Sequence, residues 1–84
     1  ALFGSRQVTA DGLECTFATN HMAYFVITLG LLGPLKAAGK PRVVSTASRM
    51  HLGQSLDFDD LQMARSFNAV QAYGRSKLCN ILFT

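Results

Sequence analysis

Eighty-four residues suffice for one small domain at most, and a core of that size is marginal without a metal, a disulfide framework or a partner surface. With 49% hydrophobic and 15% charged residues the composition is that of a globular core and excludes a disordered tail. The net charge of +3 and pI of about 9.2 come from scattered bases, with no Lys/Arg run and no interleaved aromatics, which argues against nucleic-acid binding.

Cys15 and Cys79 belong to no C-x-x-C pair, so two buried, reduced thiols are expected rather than a disulfide. The start of the chain lacks a signal-peptide pattern and an initiator Met, and the expected setting is a cytoplasmic piece cut from a longer chain. The uncharged stretch 15–35 is interrupted by Thr16, Thr19, Asn20, His21, Thr28, two glycines and Pro34. It reads as a buried core helix and not as a membrane span.

Residues 1–8 read as a loop. Thr9 or Asp11 can cap the helix that follows, and Asp11-Gly12-Leu13-Glu14 has the D-x-x-E form of a capping box. Leu13, Phe17, Tyr24, Ile27, Leu31 and Leu35 recur in helical steps, which predicts a heavily buried helix over 11–38. Gly30, Gly33 and Pro34 predict a kink near its end, and Gly39 suits its C-terminal cap. Residues 42–48, Arg-Val-Val-Ser-Thr-Ala-Ser, read as a buried strand. A segment without strong period runs from 49 to 68, with Asp57, Asp59 and Asp60 marking a turn and not a metal site. Residues 69–84 predict a last helix with Ala72, Ser76, Leu78/Cys79 and Leu82/Phe83 on its apolar side. Helix, strand, loop and helix make one unit of an alternating α/β chain, hence part of a parallel sheet.

Tyr73 and Lys77 are four apart on the last helix, so both side chains share a face. An ammonium beside a phenol stabilises the phenolate, as proton transfer near neutral pH requires. The spacing alone is short enough to arise by chance, and an ordinary Tyr with a solvated Lys is its bland alternative. Ser48 closes the predicted strand, at the end where parallel α/β sheets bind ligands, although a Ser that merely ends a strand is commoner. Asn20 puts a polar amide into an apolar stripe, where it needs hydrogen-bond partners. His21 and His51 lack any ligand or triad spacing and read as a packed helix residue and a loop residue.

Taken together these residues resemble the short-chain dehydrogenase/reductase family, from about Thr9 to Thr84. Thr9-Ala10-Asp11-Gly12-Leu13-Glu14 with Asn20-His21-Met22 resembles the helix bearing the family's active-site Asn. Residues 42–48 resemble the strand ending in its Ser, and Tyr73-Gly74-Arg75-Ser76-Lys77-Leu78 with Asn80 resembles its Y-x-x-x-K helix. The long stretch containing Leu56-Asp57-Phe58-Asp59-Asp60-Leu61 is similar to the retinol-dehydrogenase-like branch. Three positions depart from the pattern: Ser45 where Asn is usual, Ala47 where Ser is usual, and Ala23 where Gly is usual. The glycine-rich phosphate loop and the N-A-G strand, expected upstream, are not among these residues.

The resemblance implies an internal fragment, residues 1–84, of a single Rossmann-like domain with a doubly wound parallel sheet. It implies an NAD(P)-dependent oxidoreductase interconverting an alcohol and a carbonyl compound, with NADP favoured and small lipophilic alcohols, aldehydes or ketones as substrates. Tyr73 would be the acid/base, and Lys77 would assist it and hold the nicotinamide ribose. Ser48 would orient the substrate oxygen, and Asn20 would position a water linking Lys77 to solvent. The fragment alone is expected to be inactive, and homo-oligomers through the long helices are expected. The alternative is a non-catalytic α/β remnant or helix-mediated interaction module.

Overall fold

The first helix starts on a carboxylate. In the computed structural model, which describes all residues 1–84, Glu14 Oε2 accepts from Thr16 N at 2.6 Å and Oε1 from Phe17 N at 3.0 Å. Glu14 is therefore the N-cap, in place of the expected Thr9 or Asp11. Thr9 is already engaged in the preceding turn: its N–H donates to Leu13 O at 2.7 Å and its hydroxyl accepts from Leu13 N at 3.2 Å. Gly12, at φ +84°, makes that turn sterically cheap.

The expected single helix over 11–38 is divided into short pieces. Helix α1 (Cys15–Phe17) runs into a π-helical turn (Ala18–Met22), then α2 (Ala23–Gly30) and α3 (Leu32–Ala37). The break between α2 and α3 falls at Leu31, φ −101° and ψ 5°, where glycine and proline weaken the ladder. Gly39 follows α3 at φ +82°, as a C-terminal cap does. The expected heavy burial is not found: neither α2 nor α3 has a buried residue.

The expected strand over 42–48 is also corrected. These residues form no regular structure, and Val44 is 89% exposed. A strand exists only through hydrogen bonds to a neighbour, and this chain offers none. Its one β pairing is an isolated antiparallel bridge between Val8 and Glu14. A 3₁₀ turn (Arg49–His51) follows, and then a loop whose Asp60 carboxylate accepts from Ala64 N at 2.9 Å and Arg65 N at 3.1 Å. Those two main-chain bonds hold the exposed Asp60 carboxyl below its ordinary pKa. Helix α4 (Ala69–Phe83) matches expectation, capped by Asn68 Oδ1 accepting from Gln71 N at 2.9 Å.

Gln62 ties the loop to the start of the chain. Its Oε1 accepts from Glu14 N at 2.7 Å, and its carbonyl accepts from Arg6 Nε at 3.1 Å. Packing concentrates where α1 and the π turn cross α4. Only Met63 and Ala72 are buried apolar residues there, whereas Glu14, Thr16, Asn20, Ser76, Lys77 and Asn80 are buried polar ones. Cys15 and Cys79 are free and half-buried, and desolvation pushes the Cys79 thiol up. No helix is long and apolar enough to cross a membrane.

Apolar side chains such as Val26, Ile27 and Leu82 are each more than half exposed. Little apolar surface is thus removed from water, and hydrophobic burial is the main driving force for folding. The 84-residue chain alone is expected to give a broad thermal melt by circular dichroism. A sharp cooperative transition of the monomer would contradict this.

Candidate functional site

The crossing of the π turn with α4 gathers the polar side chains. Asn20, 3% exposed, donates from Nδ2 to Ser76 Oγ at 3.0 Å and to Ala1 O at 2.7 Å. Its Oδ1 accepts from the amino group of Ala1. Ser76 Oγ in turn donates to Tyr73 O at 2.6 Å. Asn80 Nδ2 donates to the Asn20 carbonyl at 2.7 Å, and Asn80 Oδ1 lies 3.1 Å from His21 Nδ1. Both Nδ2 hydrogens of the amide expected to need partners are thus committed.

Lys77 follows Ser76 on α4 and is 6% exposed. Its Nζ donates to Thr46 O at 3.1 Å. It also lies 5.6 Å from the centroid of the Tyr73 ring and 6.0 Å from that of Tyr24. Two aromatic faces beside a buried ammonium compensate part of its lost hydration. The Tyr73 hydroxyl makes no hydrogen bond within the chain, and Nζ spends one of its three donors.

Ser48 is positioned differently from the expectation. It does not end a strand but caps the 3₁₀ turn, its Oγ accepting from Met50 N at 3.2 Å. Its carbonyl accepts from His51 N at 3.1 Å and meets His51 Nδ1 at 2.6 Å. Ser48 makes no hydrogen bond to Asn20, Tyr73 or Lys77. The turn it caps packs on α4, where an added Cβ at Gly74 would stand 2.5 Å from Met50 O and 2.8 Å from Gln54 Cγ. Glycine is what lets this turn reach the part of α4 that carries Tyr73.

Asn20, Tyr73 and Lys77 are thus carried by one crossing, and Ser48 caps the turn that packs on the same helix α4. Sequence reasoning missed Tyr24, Gly74 and the Thr46 carbonyl. Tyr24 stands four after Asn20, a spacing that signals a shared face but was absorbed into the apolar stripe. A main-chain carbonyl carries no residue signal at all. No group of three or more His, Cys, Asp or Glu residues is arranged to hold a metal.

Comparison with known proteins bears on the same residues. The chain is 43% identical over 76 residues to human retinol dehydrogenase 14, an alignment covering 90% of this chain and 23% of that protein. It is 42% identical over 77 residues to human retinol dehydrogenase 13, covering 90% and 23%. The chain is thus similar to a quarter-length segment of proteins named retinol dehydrogenases. A probable oxidoreductase of Streptomyces lividans is 40% identical over 81 residues, covering 95% of this chain and 27% of that protein. The chain spans about a quarter of the length of these relatives. No family model and no solved structure matches it. The expected parallel sheet is not seen, since these residues form helices and turns and no strand.

Gly74→Ala tests the close approach. Helix propensity favours Ala by about 1 kcal/mol, but a backbone carbonyl cannot swing aside as a side chain can, and overpacking costs about 1–3 kcal/mol. In a full-length protein carrying this segment, the denaturant midpoint is expected to fall. An unchanged or raised midpoint would show that the turn yields freely.

Proposed function

We propose that this chain is the catalytic segment of an NAD(P)-dependent oxidoreductase that interconverts an alcohol and a carbonyl compound. The observation that carries the reading is the Lys77 ammonium, nearly buried, bound to Thr46 O and set beside the Tyr73 ring. Tyr73 and Lys77 share one face of α4, and the Tyr73 hydroxyl is left without a partner in the chain beside the held ammonium. Tyr73 then gives a proton to the carbonyl oxygen in reduction, or takes the hydroxyl proton in oxidation. Ser48 orients the substrate oxygen with its O–H, which no contact within the chain uses. Asn20 fixes the α4 turn bearing Ser76 and Lys77, and positions a water that joins Lys77 to solvent.

Tyr73 and Lys77 would hold the nicotinamide ribose through their unspent hydrogen-bonding groups. When bound, the nicotinamide supplies or accepts the hydride. NADP is the favoured form, the substrates are small lipophilic alcohols, aldehydes or ketones, and the setting is cytoplasmic. The chain is an internal fragment of a single Rossmann-like domain and lacks a glycine-rich phosphate loop, so the 84 residues alone do not turn over. The names of its relatives, retinol dehydrogenase and probable oxidoreductase, support the reading. The bare apolar faces of α2 and α3 favour the alternative, a helix-mediated interaction module.

The test uses a full-length protein carrying this segment, assayed for NAD(P)H consumption with lipophilic aldehydes and ketones. Tyr73→Phe keeps the ring and removes the proton, and kcat is expected to fall by about 10²–10⁴-fold. Unchanged turnover would end the acid/base assignment. A protein that self-associates but binds no dinucleotide would establish the interaction module instead.

A further inference from the structure

The π turn Ala18–Met22 interrupts the helix at Asn20. A π turn closes a larger hydrogen-bonded ring than an α turn, is rare, and persists where outside contacts hold it. Here those contacts come from α4. The Asn20 side chain donates to Ser76 Oγ, and the Asn20 carbonyl accepts from Asn80 Nδ2. Because Asn80 commits its nitrogen to that carbonyl, its Oδ1 is an acceptor. The His21 Nδ1 that lies 3.1 Å from it therefore carries the hydrogen. The donors run in one direction, from His21 to Asn80 to Asn20.

The His21 ring is itself fixed. It stacks on Phe17 at 5.4 Å and 4° between planes, and meets the edge of Phe83 at 6.1 Å. Phe25 closes a third side at 6.3 Å. Asn80 is 1% exposed, so water cannot replace a partner it loses. Neither His21 nor Asn80 hydrogen-bonds to Tyr73, Lys77 or Ser48.

We propose that His21 and Asn80 are positioning residues for Asn20. They hold the wide turn at the height where the Asn20 amide meets Ser76, and with it the part of α4 that presents Tyr73 and Lys77. The proposal rests on the oxidoreductase reading above.

Two substitutions separate the bond from the ring. His21→Phe keeps the aromatic stack and removes the donor. His21→Asn removes the ring and places an amide N–H where Nδ1 stood. In the full-length protein, His21→Phe is expected to lower kcat roughly tenfold with little change in KM, as displacement of a catalytic group does. His21→Asn is expected to restore most of that loss. The reverse order, with Phe active and Asn impaired, would mean that the ring serves packing only and would overturn the proposal. Nitrogen chemical shifts of His21 in the unsubstituted protein give a readout that needs neither turnover nor a folded variant. A ring that carries hydrogen on Nδ1 is expected, and one that carries it on Nε2 alone would overturn the proposal. A full-length protein that reduces nothing sinks both readings, whereas an active one with wild-type kcat in His21→Phe sinks only this one.

Discussion

Everything in this structure depends on a polar contact between two helical segments. Asn20, Ser76 and Asn80 pair side chain to side chain and side chain to main chain, all three nearly fully buried. A buried amide that loses its partner costs roughly 1–3 kcal/mol, so the crossing tolerates one alignment and penalises its neighbours. Apolar packing is less particular. The Phe17, His21, Phe25 and Phe83 cluster supplies contact area, but rings slide and tilt at small cost, whereas these donors and acceptors have fixed directions.

The register of α4 then decides where Tyr73 and Lys77 stand. Ser76 and Lys77 are adjacent, so a helix fixed at Ser76 faces Lys77 toward the Thr46 carbonyl and the two tyrosine rings. Gly74 lets the turn after Ser48 close against the same helix. Residues far apart in sequence converge through this one crossing: Asn20 from the π turn, Thr46 from the unpaired stretch, Tyr73 and Lys77 from α4. Glu14 and Gln62 serve the same crossing from its other end by fixing where α1 begins.

What the sequence made legible was local. The Tyr73–Lys77 pair follows from helical spacing, and α4 agrees with its expected limits, although the side it buries holds Ser76, Lys77 and Asn80 and not its large apolar residues. Asn20 stood out because an amide in an apolar stripe must be paired, and it is. The strand over 42–48 is not formed for a physical reason: β-branched composition states a preference, but a strand is a relation between two segments, and no segment of the chain pairs with this one. The helix cap was misplaced because Thr9 has a competing use in its own turn with Leu13, which leaves the task to Glu14. The π turn has no sequence mark of its own, and its partner Asn80 lies sixty residues away.

The scarcity of buried apolar side chains, Met63 and Ala72 alone, also bears on heat capacity. Unfolding raises heat capacity through exposed apolar surface and lowers it through exposed polar surface. A segment whose interior is mostly amides, hydroxyls and an ammonium therefore has an unusually flat dependence of stability on temperature. In calorimetric terms, covering the exposed faces of α2 and α3 would resemble folding more closely than the collapse of the chain itself does.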